Sequence, residues 1–248
     1  MVFLVPLVWY LLMSVKSETE GFLFAAQDQS LPTRNRLCAI LGENINPKCR
    51  LCDEFNETVQ HLVSGCPALA QTCYLKRHDG MARSFYYRLR HACGFDTEVH
   101  PWYDPDHVQG VMENDHYKIL WNRPIYSLRK IEANKPDLVL FDKPNEFIYI
   151  IEFSVPFDSN VIDKIQEKHT KYADLAFEMS RLHPKFTVVR LPIVLGALGL
   201  VPPEILTDIK RVPGFVTGST AFLTLCEMQK AAVLGSLHIL RKVLGGFN

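Results

Sequence analysis

The sequence has no net charge, since 27 lysines and arginines offset 27 acidic residues across 248 positions. With no overall positive field to draw in a polyanion, any nucleic-acid role has to come from local basic faces. Internal repeats and low-complexity tracts are also missing, so the chain reads as ordinary globular material. The apolar run from Met1 to Val15 contains Pro6 and ends at Lys16. It is too short to span a bilayer, which takes about 20 residues. No basic residue precedes it, as one would in a secretory signal. It reads as a core helix or an accidental start, with secretion as the alternative. The length allows one or two domains and a sizeable core.

Seven cysteines are present, and three are committed by spacing together with one histidine: Cys49-x2-Cys52-x8-His61-x4-Cys66. Two ligands two residues apart form one tight knuckle, and the later histidine and cysteine close a tetrahedron around Zn²⁺. Gly65, just before Cys66, is expected to permit a close backbone approach. A disulfide framework is the alternative if the chain is secreted, but this set suits zinc in a reducing compartment, nuclear or cytoplasmic. Cys38, Cys73, Cys93 and Cys226 have no such spacing and read as small apolar residues.

The most informative stretch runs from Lys135 to Lys171. Lys143-Pro144-Asn145-Glu146 has turn chemistry between two apolar runs, so Leu138–Asp142 and Phe147–Val155 should form a hairpin. Asp137 opens the first strand and Glu152 lies late in the second. Antiparallel pairing then places both carboxylates at one end of the sheet, where Mg²⁺ finds hard oxygen ligands. A long helix should follow, with an apolar stripe of Val161, Ile165, Tyr172, Leu175, Ala176, Met179 and Leu182. Lys168 falls inside that stripe, flanked by Lys164 and Lys171. An ammonium on a core-facing stripe needs a partner or a route to water, and the hairpin carboxylates are the obvious partners.

Lys135-Pro136-Asp137 followed by Glu152 resembles the PD-(D/E)xK nuclease core. The text from Trp121-Asn122-Arg123-Pro124 to Tyr172-Ala173-Asp174-Leu175 resembles one branch of it, the restriction-like endonuclease at the C-terminus of site-specific non-LTR retrotransposon polyproteins. The resemblance covers roughly residue 16 to the end. Ser154 stands where the simple motif has its lysine; the branch moves that lysine to the following helix, which implies Lys168 or Lys171. The resemblance implies a metal-dependent DNA endonuclease that nicks a target site, with DNA and, second, retrotransposon RNA as partners and no membrane. It also implies a fragment whose reading frame begins inside a longer gene, without polymerase palm or reverse transcriptase activity. A catalytically silent zinc-dependent nucleic-acid-binding module, or a decayed remnant, is the alternative.

Ala68–Cys93 reads as helix, interrupted at most by Gly80. It carries Lys76, Arg77, Arg83, Arg88 and Arg90, with Tyr74, Phe85, Tyr86 and Tyr87 interleaved, a pattern suited to phosphates and bases or to a solvated basic edge. Lys76-Arg77-His78-Asp79 resembles a basic-His-Asp motif tied to DNA engagement in the same family; His78 could equally be a core histidine. Further strands are expected over Lys118–Tyr126 and Phe186–Leu195. Pro202-Pro203 should open a short helix to Lys210, and Thr220–Leu244 should form the last one. The expected fold is α/β, a PD-(D/E)xK-like mixed sheet of about four strands flanked by helices. The expected division is an apolar segment (1–15), a linker (16–46), the zinc knuckle and basic helix (47–96), a second linker (97–115) and the endonuclease domain (116–248).

Overall fold

The computed structural model describes residues 15–127 and 129–245, so the apolar run lies outside it apart from residue 15. Two strands set the geometry, β3 (Leu138–Asp142) and β4 (Phe147–Ser154), joined through the turn at 143–146. The five residues of β3 pair antiparallel from Leu138↔Ile151 to Asp142↔Phe147, with Asp142 accepting hydrogen bonds from the Asn145 amide and side chain. β2 (Tyr117–Trp121) and β1 (Val111–Glu113) extend one edge antiparallel, and β5 (Thr187–Val194) lies parallel to β4 at the other edge. The sheet is mixed and five-stranded, in the order β1-β2-β3-β4-β5.

Alternation along the strands divides the core in two. Leu138, Leu140, Tyr149, Ile151 and Phe153 face one layer, built from the segment of Cys49 to Cys66, α3 (Leu75–Ala92) and the buried helix α7 (Gly218–Leu244). Val139, Ile148 and Ile150 face the other, against Tyr172, Leu175 and Met179. By the same period of two, Asp137 and Glu152 fall on this second face.

The structure corrects several expectations. The single long helix is two, α4 (Val161–Lys171) and α5 (Ala173–Leu182), broken at Tyr172 where φ is −102° and ψ 15°. Tyr172 is buried and its hydroxyl donates to the Lys135 carbonyl at 3.2 Å, so the break seats an aromatic ring under the site. Leu182, expected on the apolar stripe, is exposed at the end of α5. The strand expected to reach Tyr126 stops at Trp121; Asn122 adopts a φ of 49° and its amide donates to the Asp137 carbonyl. Pro202-Pro203 precedes a shorter helix, α6 (Ile205–Ile209).

Both segments read as linkers are packed. Residues 16–46 hold α1 (Ser17–Gln27) and α2 (Arg34–Ala39), with Phe22, Leu23, Ala26 and Leu31 in the main core. Residues 97–115 contain β1 and fold over α3, where the Tyr86 and Tyr87 hydroxyls donate to the Gln109 and Asp104 carbonyls. Gly80 does not interrupt α3; it lets the Trp102 ring approach, since a Cβ there would lie 3.3 Å from that ring. Phe85, Tyr86 and Tyr87 are fully buried, so they pack the core and do not face bases. Among the described residues, no helix is long and apolar enough to cross a membrane.

Arg77 is the largest departure. It is only 5% exposed, and its guanidinium donates to the Val63 carbonyl (2.7 Å), the Ser236 hydroxyl (2.8 Å) and the Val155 carbonyl (3.0 Å). One side chain thus ties the zinc segment, α7 and the end of β4 together. Arg77→Met leaves those acceptors without a charged donor and should cost roughly 3 kcal/mol, read as a lower urea midpoint. A residue used only to contact nucleic acid would leave that midpoint unchanged.

Candidate metal centre and carboxylate site

Cys49, Cys52, His61 and Cys66 bring their ligand atoms within 4.8 Å of one another. The Cys49 amide donates to the Phe55 carbonyl and the Asp53 amide to the Cys49 carbonyl, folding the knuckle back on itself. Asp53 takes a φ of 56°, a left-handed conformation that aspartate tolerates better than most residues. His61 enters from a π-helical turn, His61–Gly65, and Cys66 follows it with its amide donating to the Tyr74 hydroxyl at 3.0 Å. A Cβ on Gly65 would meet only His61 Nδ1 at an ordinary 3.5 Å, so space does not demand the expected glycine.

The Sγ atoms of Cys49 and Cys66 are 3.9 Å apart, and Cys52 Sγ lies 3.4 Å from His61 Nε2. Sulfurs on a tetrahedron with Zn–S near 2.3 Å stand about 3.8 Å apart. All seven cysteines are free thiols, and the three sulfurs with one imidazole are a donor set suited to a metal such as zinc. Burial pushes the Cys66 thiol up to about 12, so without a metal it keeps its proton. Behind the knuckle, Glu57 is fully buried. Burial alone would raise its pKa, but the Arg50 guanidinium at 2.7 Å and the Arg34 and Arg50 amides hold it below the usual carboxylate range. Arg50 also donates to the Val243 carbonyl of α7.

The second site is the carboxylate pair. Leu138↔Ile151 is the last paired register position, and the next places Asp137 across from Glu152. The two residues exchange main-chain contacts: the Asp137 amide donates to Glu152 Oε2 at 3.2 Å, and the Phe153 amide donates to Asp137 Oδ2 at 2.8 Å. Three cations from two helices surround them. Lys168 Nζ lies 2.7 Å and Lys171 Nζ 3.2 Å from Glu152 Oε1, Lys168 largely buried and Lys171 41% exposed. His78, from α3, places Nε2 3.2 Å from Asp137 Oδ2 and Nδ1 3.0 Å from Asp79 Oδ1. Burial alone would lower the His78 pKa, but its two carboxylate partners hold it up at about 10, so the ring is an imidazolium at neutral pH. Burial likewise opposes ionisation of Asp137, and His78 reverses that, holding the carboxyl below its ordinary range. Burial near Glu152 pushes the Tyr172 hydroxyl up, keeping it neutral.

Asp137, Glu152, Lys168 and Lys171 are therefore brought together. Of the residues expected to touch nucleic acid, His78 and Asp79 join this cluster, Lys76 is exposed, and half-buried Arg83 donates to the Trp102 carbonyl. Buried Arg77 gives its two terminal nitrogens to the Val63 and Val155 carbonyls and the Ser236 hydroxyl, so its guanidinium does not lie on an exposed basic face. Lys164 instead pairs with Glu167 at 2.5 Å. Sequence reading missed the link from His78 to Asp137, because 59 residues separate them and no local period signals it.

Two outcomes are expected. Cys49→Ser should lose about one zinc per chain by elemental analysis and melt earlier, because the metal's binding energy is folding energy. His78→Asn should lower the melting temperature most between about pH 4 and 6.5, where both partners are charged in the unfolded-state reference. A raised histidine pKa gives stability that fades as pH rises, so this difference should close as pH passes about 10. No protein-family model matches the chain, and no curated protein is detectably similar to it.

Proposed function

We propose that this chain is a metal-dependent DNA endonuclease of the PD-(D/E)xK type, derived from a non-LTR retrotransposon polyprotein and acting by target-site nicking. The observation that carries the reading is Asp137 facing Glu152 on one sheet face with Lys168 and Lys171 on Glu152. Buried carboxylates side by side repel one another, and a fold keeps such a pair only where cations offset it. Asp137 and Glu152 would hold Mg²⁺, which when bound polarises a phosphodiester and acidifies water. Lys168 is the better placed of the two lysines to hold its charge against the reacting phosphate, being largely buried, while exposed Lys171 stands at the rim. His78 fixes the orientation of Asp137 from the opposite side.

A second reading has one observation in its favour. Asp137 Oδ2 and Glu152 Oε1 already accept hydrogen bonds from His78 and from the two lysines, so the cluster is charge-balanced as it stands. On that reading the chain is a zinc-bearing nucleic-acid-binding module with a silent nuclease core. Relaxation of supercoiled plasmid in Mg²⁺ or Mn²⁺ separates the two. The nuclease reading expects nicking that is abolished in Asp137→Ala and reduced by about 100-fold or more in Lys168→Ala. Nicking at equal rates in wild type and Asp137→Ala would overturn it.

A further inference from the structure

A cavity of about 350 Å³ lies beside the carboxylate site, between the zinc segment and the start of α4. Ser64, Arg77, His78, Ser154, Asn160 and Lys164 supply its polar lining, and no carboxylate is among the lining residues. Two of these side chains are incompletely satisfied. Among the described residues, the buried Ser64 Oγ has no hydrogen-bond partner, and the Nε–H of Arg77, itself only 5% exposed, has none either. The three acceptors that Arg77 does reach are all neutral oxygens. Among the described residues no carboxylate pairs with it, and the Tyr74 ring 5.1 Å away offers only a cation–π contact, so the buried charge costs several kcal/mol unless an anion comes to it. Burial pushes the guanidinium down to about 10, still charged at neutral pH. Lys164 adds a second permanent charge at the rim, where its pairing with exposed Glu167 is a surface contact that is weak in water.

We infer that this cavity is a second phosphate-binding site, which takes a backbone phosphate of a nucleic-acid strand. The inference rests on the nuclease reading for the identity of the strand, while the anion chemistry stands on Arg77, Lys164 and Ser64 alone. A strand is the better occupant than a free anion because the cavity continues in two directions. At one end His78 bonds Asp137, and at the other Ser64, Phe157 and Asn160 also line a neighbouring cavity of about 430 Å³ walled by Phe55 and His61. That second space has room for the sugar and base attached to a phosphate, and Phe55 is 55% exposed beside it. Ser154, which stands where the simple nuclease motif has a lysine, lines the phosphate cavity.

The test uses the full zinc-loaded chain with no added divalent cation, so that nothing is cleaved. Binding of inorganic phosphate is followed by phosphorus NMR, and binding of a fluorescent single-stranded oligonucleotide by anisotropy. Ser154→Asp places a carboxylate inside the cavity, and Lys164→Glu places one at its rim, where folding is not at risk. Saturable phosphate binding is expected in the wild type, with both affinities falling by at least about tenfold in either variant through like-charge repulsion. No saturable phosphate binding in the wild type, or wild-type phosphate affinity in Lys164→Glu, would overturn the site. Loss of phosphate binding with oligonucleotide affinity intact would overturn its assignment to a strand. These outcomes are independent of nicking: a failed Asp137→Ala test removes the nuclease reading without touching them, and a failed phosphate test leaves metal-dependent nicking in place.

Discussion

Setting the half-buried Asp137 carboxylate beside the buried one of Glu152 is the constraint on which this structure turns. Once the hairpin register puts Leu138 against Ile151, Asp137 has no choice but to face Glu152 on the side of the sheet packed against Tyr172, Leu175 and Met179. Two carboxylates set this close repel each other, and opposite charge lies within a few ångströms of both. The compensating charges come from distant parts of the chain: Lys168 and Lys171 from α4, and His78 from α3. Each of these helices is thereby committed to a place relative to the hairpin. Tyr172 is drawn in with them, and the helix breaks to seat it.

The same constraint couples the metal centre to the sheet. Helical turns over residues 67–74 lead from Cys66 into α3, and the Cys66 amide donates to Tyr74 just before that helix, so the helix that delivers His78 is tied to the Cys/His cluster. Arg77, one residue before His78, holds Val63 of the zinc segment, Ser236 of α7 and Val155 at the end of β4. Gly235 on α7 leaves room for it, since a Cβ there would come within 2.7 Å of the Arg77 side chain. Arg50 reaches from the knuckle to the Val243 carbonyl near the end of α7. A metal bound by the cysteines would therefore stabilise the geometry of the carboxylate site without touching it.

What the sequence disclosed and what it withheld follow one physical division. The hairpin, the Cys49/Cys52/His61/Cys66 cluster and the anomaly of Lys168 were legible because turn chemistry, ligand spacing and helical period are local properties. Apolar positions such as Leu175 and Met179 fell where the period put them. The packed states of residues 16–46 and 97–115 were not legible, because their polar text hides short elements held by distant partners: β1 by pairing with β2, and α1 by packing against α7. Arg77, Tyr86 and Tyr87 read as a nucleic-acid surface by composition, yet tertiary packing buries them. His78 gave no sign of its partner, which lies on another element far along the chain.

The central claim is that Asp137 and Glu152 form a divalent-cation site whose charge the surrounding cations now balance. Anomalous scattering from a crystal of the full chain grown with Mn²⁺ tests it most directly. The account predicts one manganese peak within bonding reach of both carboxylates, with the Lys168 ammonium shifted off Glu152 and the imidazole of His78 turned away from Asp137. A manganese-saturated crystal with no peak there, and with both ion pairs intact, would contradict it.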